Sequence, residues 1–169
     1  MKILQKTYIL PLVPMRDMVI FPQTFAPFYV GRASSVLAVK KALNTQEKLI
    51  FLSAQKDAKI DMPIPNDIYS FGVIAKIIQH ADTETSNLKV IVEGLQRAKI
   101  IRFYSIEPFF EVEVNPVFYT LKVDEELRRY MDYVLISAKK YAKISQNSVL
   151  ETMLSQINLE DVSAFCDRI

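Results

Sequence analysis

The chain has 169 residues, half of them hydrophobic and 24% charged, which is typical of a folded domain and excludes a disordered chain. Its 21 basic and 19 acidic residues leave a net charge of +2. No strong long-range field therefore draws it to nucleic acid or an anionic membrane. The single cysteine, Cys166, cannot form an intrachain disulfide, and no signal peptide or membrane span is evident. We expect a cytoplasmic location.

Residues 10–22, LPLVPMRDMVIFP, form an apolar run that prolines interrupt. Proline has no backbone N–H and a fixed φ, which excludes an interior helix or a central strand throughout this run. The segment predicts an edge strand that turns at Arg16 and Asp17, exposes this pair and then re-enters apolar surroundings.

Short apolar runs separated by proline or polar turns continue to about Phe118 and predict further strands. They cover residues 49–52, 73–78, 88–92 and 110–114. The polar residues 82–87 predict the loop of an antiparallel hairpin, and Gly94 predicts a bulge or bend in the strand that follows.

One helix is expected within this β-rich part, with Ser34 or Ser35 as its cap and Asn44 at its end. Its apolar face would consist of Val36, Val39, Ala42 and Leu43. An all-β run with one or two short helices predicts a small, partly closed barrel.

After Pro116 the apolar period becomes helical. Residues 127, 131, 134, 135, 138 and 142 form the stripe of a long helix, with Asp124 as its cap. Ser148 and Glu151 fit a capping box for a second helix, whose apolar face would be Val149, Met153 and Ile157. Residues 158–161 open a third helix, with Val162, Phe165 and Ile169 on its apolar side. That helix ends without a glycine cap or polar tail, so we expect a truncated helical region.

The motifs of common enzymes are missing from the sequence. There is no phosphate-binding G-x-x-x-x-G-K-[ST] loop and no G-x-S-x-G nucleophile elbow. The only histidine, His80, is expected to be a solvated hairpin residue, because Cys166 alone could join it in a zinc site. Cys166 is expected to be a buried, inert thiol. We therefore predict no catalytic residues, no metal and no cofactor in this chain.

Aromatic residues concentrate near the prolines, where extended, unpaired backbone can leave an apolar groove open at a sheet edge. Most of these side chains must belong to the core, but an exposed subset would mark a binding surface. The candidate contacts for a bound apolar segment are Met15, Phe21, Phe25, Phe28, Phe109 and Phe110.

Four blocks, in the same order, closely resemble the start of the Lon family of ATP-dependent proteases. They are the 10–22 segment, Val30-Gly31-Arg32, Ala54-Gln55-Lys56 and the run from Val92 to Ala98. The resemblance implies an α+β fold: a β-rich PUA-like domain over residues 1–118, followed by a small helical subdomain over 119–169. It also implies that the ATPase and the peptidase with its Ser-Lys dyad lie outside this chain, as do ATP and Mg²⁺. Residues 137, 139, 140, 143 and 145, which offer Ser and Lys side chains, are assigned no catalysis.

Within these blocks we expect scaffold roles. Arg16 and Asp17 would tether the proline-rich turn by a charge-assisted contact or by capping backbone groups. Gly31 would permit a turn before the helix, and Gly94 a bulge beside Arg97. The remaining scaffold residues are Arg32, Gln55, Lys56, Glu93 and Gln96.

The leading functional hypothesis is a non-catalytic substrate-recognition domain that binds exposed hydrophobic segments of unfolded or damaged proteins. The alternative is an assembly domain that contacts other Lon subunits and stabilises the homo-hexamer. A nucleic-acid-binding module, suggested by the PUA-like resemblance and the basic residues, ranks third because the net charge is near neutral. No membrane partner is expected.

Overall fold

The computed structural model describes residues 7–83, 87–118 and 122–169, without the side chain of Arg168. The chain consists of two compact units, residues 1–118 and 119–169. In its described residues, the first unit contains six strands and one α-helix. The strands are β1 (Tyr8–Met15), β2 (Phe25–Val30), β3 (Leu49–Ala54), β4 (Phe71–Asp82), β5 (Leu88–Ser105) and β6 (Glu111–Pro116), and α1 spans Ala33–Leu43.

The strands form one sheet in the order β2-β5-β4-β3-β1-β6, and β6 also pairs with β5. Five of the strands therefore close into a ring, and β2 is added to the first half of β5. Two hydrophobic clusters fill this unit. One includes the buried face of α1, and the other contains Phe51, Val112 and Val114. The strands predicted over 49–52, 73–78, 88–92 and 110–114 are confirmed.

The edge-strand prediction for β1 is wrong, because β1 lies between β3 and β6. Residues 8–11 pair antiparallel with β6, and residues 12–15 pair parallel with β3. The N–H of Leu12 points to β6, where it donates to Phe110 O at 2.8 Å. Backbone N–H groups of successive residues point to opposite sides of a strand, so the nitrogen of Pro11 faces β3, and the pairing with β3 begins only at Leu12. The nitrogen of Pro14 faces β6, and the pairing with β6 ends at Pro11. Neither proline therefore removes a ladder hydrogen bond.

The turn after β1 is as predicted. Arg16 and Asp17 are exposed, and Ile20 returns to the core. The hairpin of β4 and β5 is also confirmed, with Thr83 N donating to Asn87 O at 2.9 Å. The tip of that hairpin, residues 84–86, lies outside the described residues.

The bulge predicted at Gly94 is confirmed. Ala75 pairs with Gly94 and Ile74 with Gln96, so Leu95 is an extra residue in β5. At this point the turn after β1 approaches β5. Gln23 N donates to Gly94 O at 2.7 Å, and Gly94 N donates to Thr24 O at 2.9 Å. Gly94 does not have a positive φ, so the absence of a Cβ, rather than left-handed backbone, is what this position requires.

Helix α1 begins earlier than predicted. Arg32, not Ser34 or Ser35, is the N-cap residue, and it makes no side-chain capping bond. Ser35 instead faces the core with Ala38, Val39 and Ala42, which explains why a serine here does not cap. The predicted end at Asn44 is confirmed.

The second unit contains α2 (Glu125–Ile144), α3 (Ser148–Ser155) and α4 (Val162–Arg168). Asp124 caps α2 as predicted and accepts from Leu127 N at 2.8 Å. Met131, Leu135 and Ala142 are buried with residues of α3 and α4. Within the described residues, no helix has both the length and the apolar character needed to cross a membrane.

The apolar face predicted for α3 is wrong at Val149 and Met153, whereas its third residue, Ile157, packs against the core of the unit. Val149 and Met153 are exposed, whereas Leu150 and Leu154 pack in the core of the unit. The capping prediction missed by one residue, because Asn147 accepts from Leu150 N at 3.0 Å and Ser148 is already helical. The observed face is displaced by one residue from the predicted one, and one residue changes the direction of a side chain by about 100°.

Candidate functional site

Three adjoining cavities lie on the first unit around the turn that follows β1. We call them the groove (about 740 Å³), the central cavity (about 550 Å³) and the cleft (about 310 Å³). The groove and the central cavity share Pro14, Arg16, Arg32 and Asp61. The central cavity and the cleft share Met15 and Met18. The three cavities therefore adjoin one another, and we call them together the track.

The groove is formed by two loops, residues 61–65 and 106–110. Three of its apolar side chains are strongly exposed: Met62 at 88%, Ile64 at 58% and Ile106 at 56%. Four prolines also line it, at positions 14, 63, 65 and 108. Because proline has no N–H, these loops offer apolar surface with few backbone donors. An exposed apolar surface of this kind is characteristic of a binding site.

The cleft lies between the turn after β1 and the start of β4. Its exposed apolar side chains are Met18, Val19, Phe21, Tyr69 and Phe71. The guanidinium carbon of Arg97 lies 6.0 Å from the centre of the Phe21 ring. That cation–π contact, together with the backbone bonds at Gly94, fixes Phe21 on the wall of the cleft.

Two arginines stand where the groove meets the central cavity. Arg16 Nη2 lies 2.5 Å from Asp61 Oδ1, so Arg16 makes a charge-assisted contact as predicted, and its partner is Asp61. Arg32 donates through Nη2 to Gln55 Oε1. Burial, and secondarily the nearby cation of Arg16, lowers the pKa of Arg32, while Asp61 acts in the opposite direction.

The six predicted contact residues are placed differently from one another. Phe21 lines the cleft, and Phe109 and Phe110 line the groove as half-buried side chains. Met15 and Phe28 are only 7% and 8% exposed and belong to the core. They line the cavities but present little accessible surface to a bound molecule. Phe25 is exposed on β2 but lines none of the three cavities.

The sequence reasoning missed Met62, Ile64, Tyr69 and Phe71, which supply much of the exposed apolar surface. One signal was available for the first two. The run Met62-Pro-Ile-Pro65 places apolar side chains between prolines, which prevents their burial within a paired strand. Tyr69 lies just before β4 and Phe71 is the first residue of β4, and no comparable local signal exists for either of them.

Other motif residues make contacts within the first unit. Lys56 Nζ donates to Asn66 O at 2.7 Å, and Gln96 Nε2 donates to Val117 O at 2.6 Å. Glu93 lies on β5 opposite Phe25. Gly31 also has no positive φ. A Cβ built there would lie 2.9 Å from Asn87 Oδ1, which is the end of a side chain, so neither left-handed backbone nor a backbone contact requires glycine here.

Neither His80 nor Cys166 is among the residues that line the three cavities. His80 is exposed on β4 beside the hairpin tip. Cys166 is exposed on α4, so the expectation of a buried thiol is wrong; the adjacent Phe165 takes the core position. Among the described ranges there is no group of three or more His, Cys, Asp or Glu side chains able to hold a metal ion.

The ring of strands with its embedded helix is the fold of Lon N-terminal domains, as comparison with solved structures shows. The N-terminal domain of the Mycobacterium avium complex Lon protease superposes with a TM-score of 0.73 at 16% identity, covering 96% of this chain and 80% of that one. The Lon N-terminal domain protein from Xanthomonas campestris gives a TM-score of 0.54 at 16% identity, covering 76% and 74% of the two chains.

The chain belongs to the ATP-dependent protease La (LON) substrate-binding domain family, whose match covers residues 9–169. The Lon protease of Solibacter usitatus is 39% identical over 160 residues, and that of Halothermothrix orenii is 39% identical over 161. Each alignment covers 95% of this chain but 20% of the relative. The chain therefore spans about a fifth of the length of these proteases.

Proposed function

We propose that this chain recognises exposed hydrophobic segments of unfolded or damaged proteins on behalf of a Lon protease. The observation that supports the proposal is the track of three adjoining cavities, with strongly exposed apolar side chains in the groove and the cleft. ATP-driven and peptidase steps are assigned to the parts of the relatives that this chain does not span.

An apolar track can discriminate between folded and unfolded proteins without reading a sequence. A folded protein buries the side chains that an unfolded one exposes, and transfer of apolar surface from water into the track is favourable. Contacts of this type are weak and tolerant of sequence. Several copies of the domain on one assembled protease would raise the effective local concentration and retain a client.

A heteronuclear NMR titration of the 169-residue chain with one protein client, in native and chemically unfolded forms, tests the proposal. We expect shifts only with the unfolded form, and we expect them at Met62, Ile64 and Phe21. An absence of shifts with either form, in a sample whose spectrum is that of a folded protein, would refute substrate recognition by this chain.

A matched pair of variants tests whether the track is the surface involved. Phe21→Ala removes an aromatic ring from the cleft, whereas Phe25→Ala removes an exposed ring from β2 outside the track. We expect Phe21→Ala to weaken client binding by about five- to thirtyfold, which corresponds to about 1–2 kcal/mol for a lost contact. Phe25→Ala should leave binding within about twofold. Equal losses in the two variants would contradict the assignment of the track.

A second candidate function, assembly, is favoured by the outer face of α2. Tyr130, Tyr133, Tyr141 and Ile144 are all exposed there at helical spacing. Tyrosine is enriched at protein interfaces because its ring is apolar and its hydroxyl can hydrogen-bond. In this case the face of α2 would contact another subunit or another part of the same protease.

Light scattering during size-exclusion chromatography distinguishes the two functions. If α2 drives assembly, the chain should self-associate, and the double variant Tyr133→Ser with Ile144→Ser should reduce that association while leaving client binding intact. A chain that remains monomeric at high concentration would remove the support for self-assembly through this face.

A further inference from the structure

The ring of strands is open between β1 and β2, and the central cavity lies in that opening. Strand β6 joins residues 8–11 of β1 to the second half of β5, whereas β2 pairs with the first half of β5. Among the described residues, no strand pairs with both β2 and the second half of β1. The central cavity is lined by residues 13–15 of β1 and by residues 28–30 of β2. A further strand of the ring would therefore occupy the position of this cavity.

The edge of β2 at the cavity carries backbone groups that point away from β5. Gly94 N donates to Thr24 O at 2.9 Å, so the even-numbered residues of β2 bond to β5 and the odd-numbered ones point the other way. The N–H and C=O of Tyr29 therefore face the cavity. The N–H of Gly31 does so too, because it is opposite to the C=O of Val30 in a planar trans peptide. Both Tyr29 and Gly31 are exposed, and within the part of the chain that the structure describes neither makes a backbone bond outside the β5 ladder.

Prolines limit the length of this free edge. Pro27, the preceding residue of β2 that points away from β5, has no N–H to offer. Across the cavity, Pro14 lies on the edge of β1 that Leu12 directs to β6, and it also lacks a donor. Prolines on exposed edges restrict pairing with other chains. An added strand would therefore find its donors on the β2 side, at Tyr29 and Gly31.

We infer that an extended segment of an unfolded client binds in the central cavity as an added strand, paired through its backbone with Tyr29 and Gly31. This inference rests on the proposed function of the track and specifies the conformation of its substrate. Backbone bonds are the same for every sequence, so they supply affinity without sequence specificity, while apolar side chains of the segment contact the adjoining groove and cleft. A folded protein has already paired the backbone of its strands and offers no such segment.

Amide hydrogen exchange of the 169-residue chain, followed by NMR, tests this inference. The probe is an end-blocked peptide of alternating leucine and serine, with a lysine at each end for solubility, at saturating concentration. We expect the amides of Tyr29 and Gly31 to exchange about tenfold or more slowly in the complex, because each gains an acceptor and loses contact with water. Phe25 is the internal reference, since its N–H faces the same edge beyond Pro27, and its exchange should change by less than about twofold.

Variants identify the donor responsible. Tyr29→Pro removes an N–H that points away from β5 and so leaves the ladder intact, and Tyr29→Ala accounts for the loss of the ring. We expect Tyr29→Pro to bind the peptide about tenfold more weakly than Tyr29→Ala, because a client carbonyl loses its donor and meets the proline ring. Phe25→Pro is the matched control: it removes a donor from the same edge outside the three cavities and should bind within about twofold of the unaltered chain. If Tyr29→Pro does not fold, the exchange measurement decides.

The outcomes separate this inference from the proposed function. Chemical shift changes at Met62, Ile64 and Phe21 without slower exchange at Tyr29 and Gly31 would overturn strand addition and leave recognition of apolar segments intact. The absence of both effects would overturn both proposals. Equally slow exchange at Tyr29 and Gly31 without peptide would overturn the assignment to a client. In that case a dependence on protein concentration would identify a second copy as the occupant of the edge, and independence would identify a segment of the same chain.

Discussion

The close approach of the turn after β1 to β5 makes Gly94→Ala the most informative substitution for stability. A Cβ at position 94 would overlap sterically with the carbonyl oxygen of Phe21. It would also lie 3.0 Å from the carbonyl carbon of Phe21 and 3.3 Å from Ile20 Cγ2. Two of these atoms are backbone, so rotation of a side chain cannot relieve the overlap. The turn must move away from β5, which breaks the two backbone bonds that Gly94 makes with Gln23 and Thr24.

The cost can be estimated from those contacts. Two hydrogen bonds contribute about 0.5–1.5 kcal/mol each, and overpacking adds about 1–3 kcal/mol. We therefore expect Gly94→Ala to lower the free energy of unfolding of the first unit by about 2–6 kcal/mol. At a typical dependence on urea of about 2 kcal/mol per molar, the midpoint should fall by about 1–3 M.

Urea unfolding followed by circular dichroism measures this change, and hydrogen exchange at the Gln23 amide reports the local opening. Gly31→Ala is the matched control. Its Cβ would meet the side-chain oxygen of Asn87 at 2.9 Å, and a side chain of this kind can rotate away. We expect a change within about 0.5 kcal/mol, since the added Cβ also restricts the unfolded chain. Equal stability of Gly94→Ala and Gly31→Ala, with unchanged exchange at Gln23, would refute the steric argument.

Two further predictions concern the helical unit. Leu154→Ala should cost about 2–5 kcal/mol of unfolding free energy, because Leu154 is 2% exposed in the core of that unit, whereas the exposed neighbour Met153→Ala should cost less than about 0.5 kcal/mol. Equal effects in thermal unfolding would contradict the observed face of α3. Asp124→Ala should cost about 0.5–2 kcal/mol, because it removes the acceptor for Leu127 N, and Asp124→Asn should restore most of the loss. An unchanged melting temperature for Asp124→Ala would contradict the capping role.

The sequence predicts the strands well because alternation and β-branched residues reflect burial along one segment. It fails where the answer depends on a distant segment. Pro11 and Pro14 suggested an edge strand, but β1 has two partners, each along a different half of the strand. No local sequence pattern shows that the two halves of β1 pair with different strands. The face of α3 was wrong for a related reason, since Val149 and Leu150 are equally apolar and only the position of the other helices distinguishes them.

The candidate site was predictable in kind but only partly in its residues. The concentration of prolines and aromatics around residues 10–22 indicated the region in which the cavities meet. The residues that line the far side of each cavity, such as Met62 and Tyr69, come from loops that the fold places next to the turn after β1. Charge alone also gave no reason to pair Arg16 with Asp61, which is distant along the chain.

The ring of strands also has a kinetic consequence. Its closing pair joins Tyr8 to Val114, so the first strand finds its partner about a hundred residues further along the chain. The hairpin of β4 and β5 can form from neighbouring residues, but the ring cannot close until β6 has been synthesised. Topologies with such distant contacts fold in about milliseconds to seconds, not microseconds. During that interval the apolar β1 segment is itself unfolded and exposed. The domain that we propose to bind unfolded proteins therefore passes through a state that resembles its own clients.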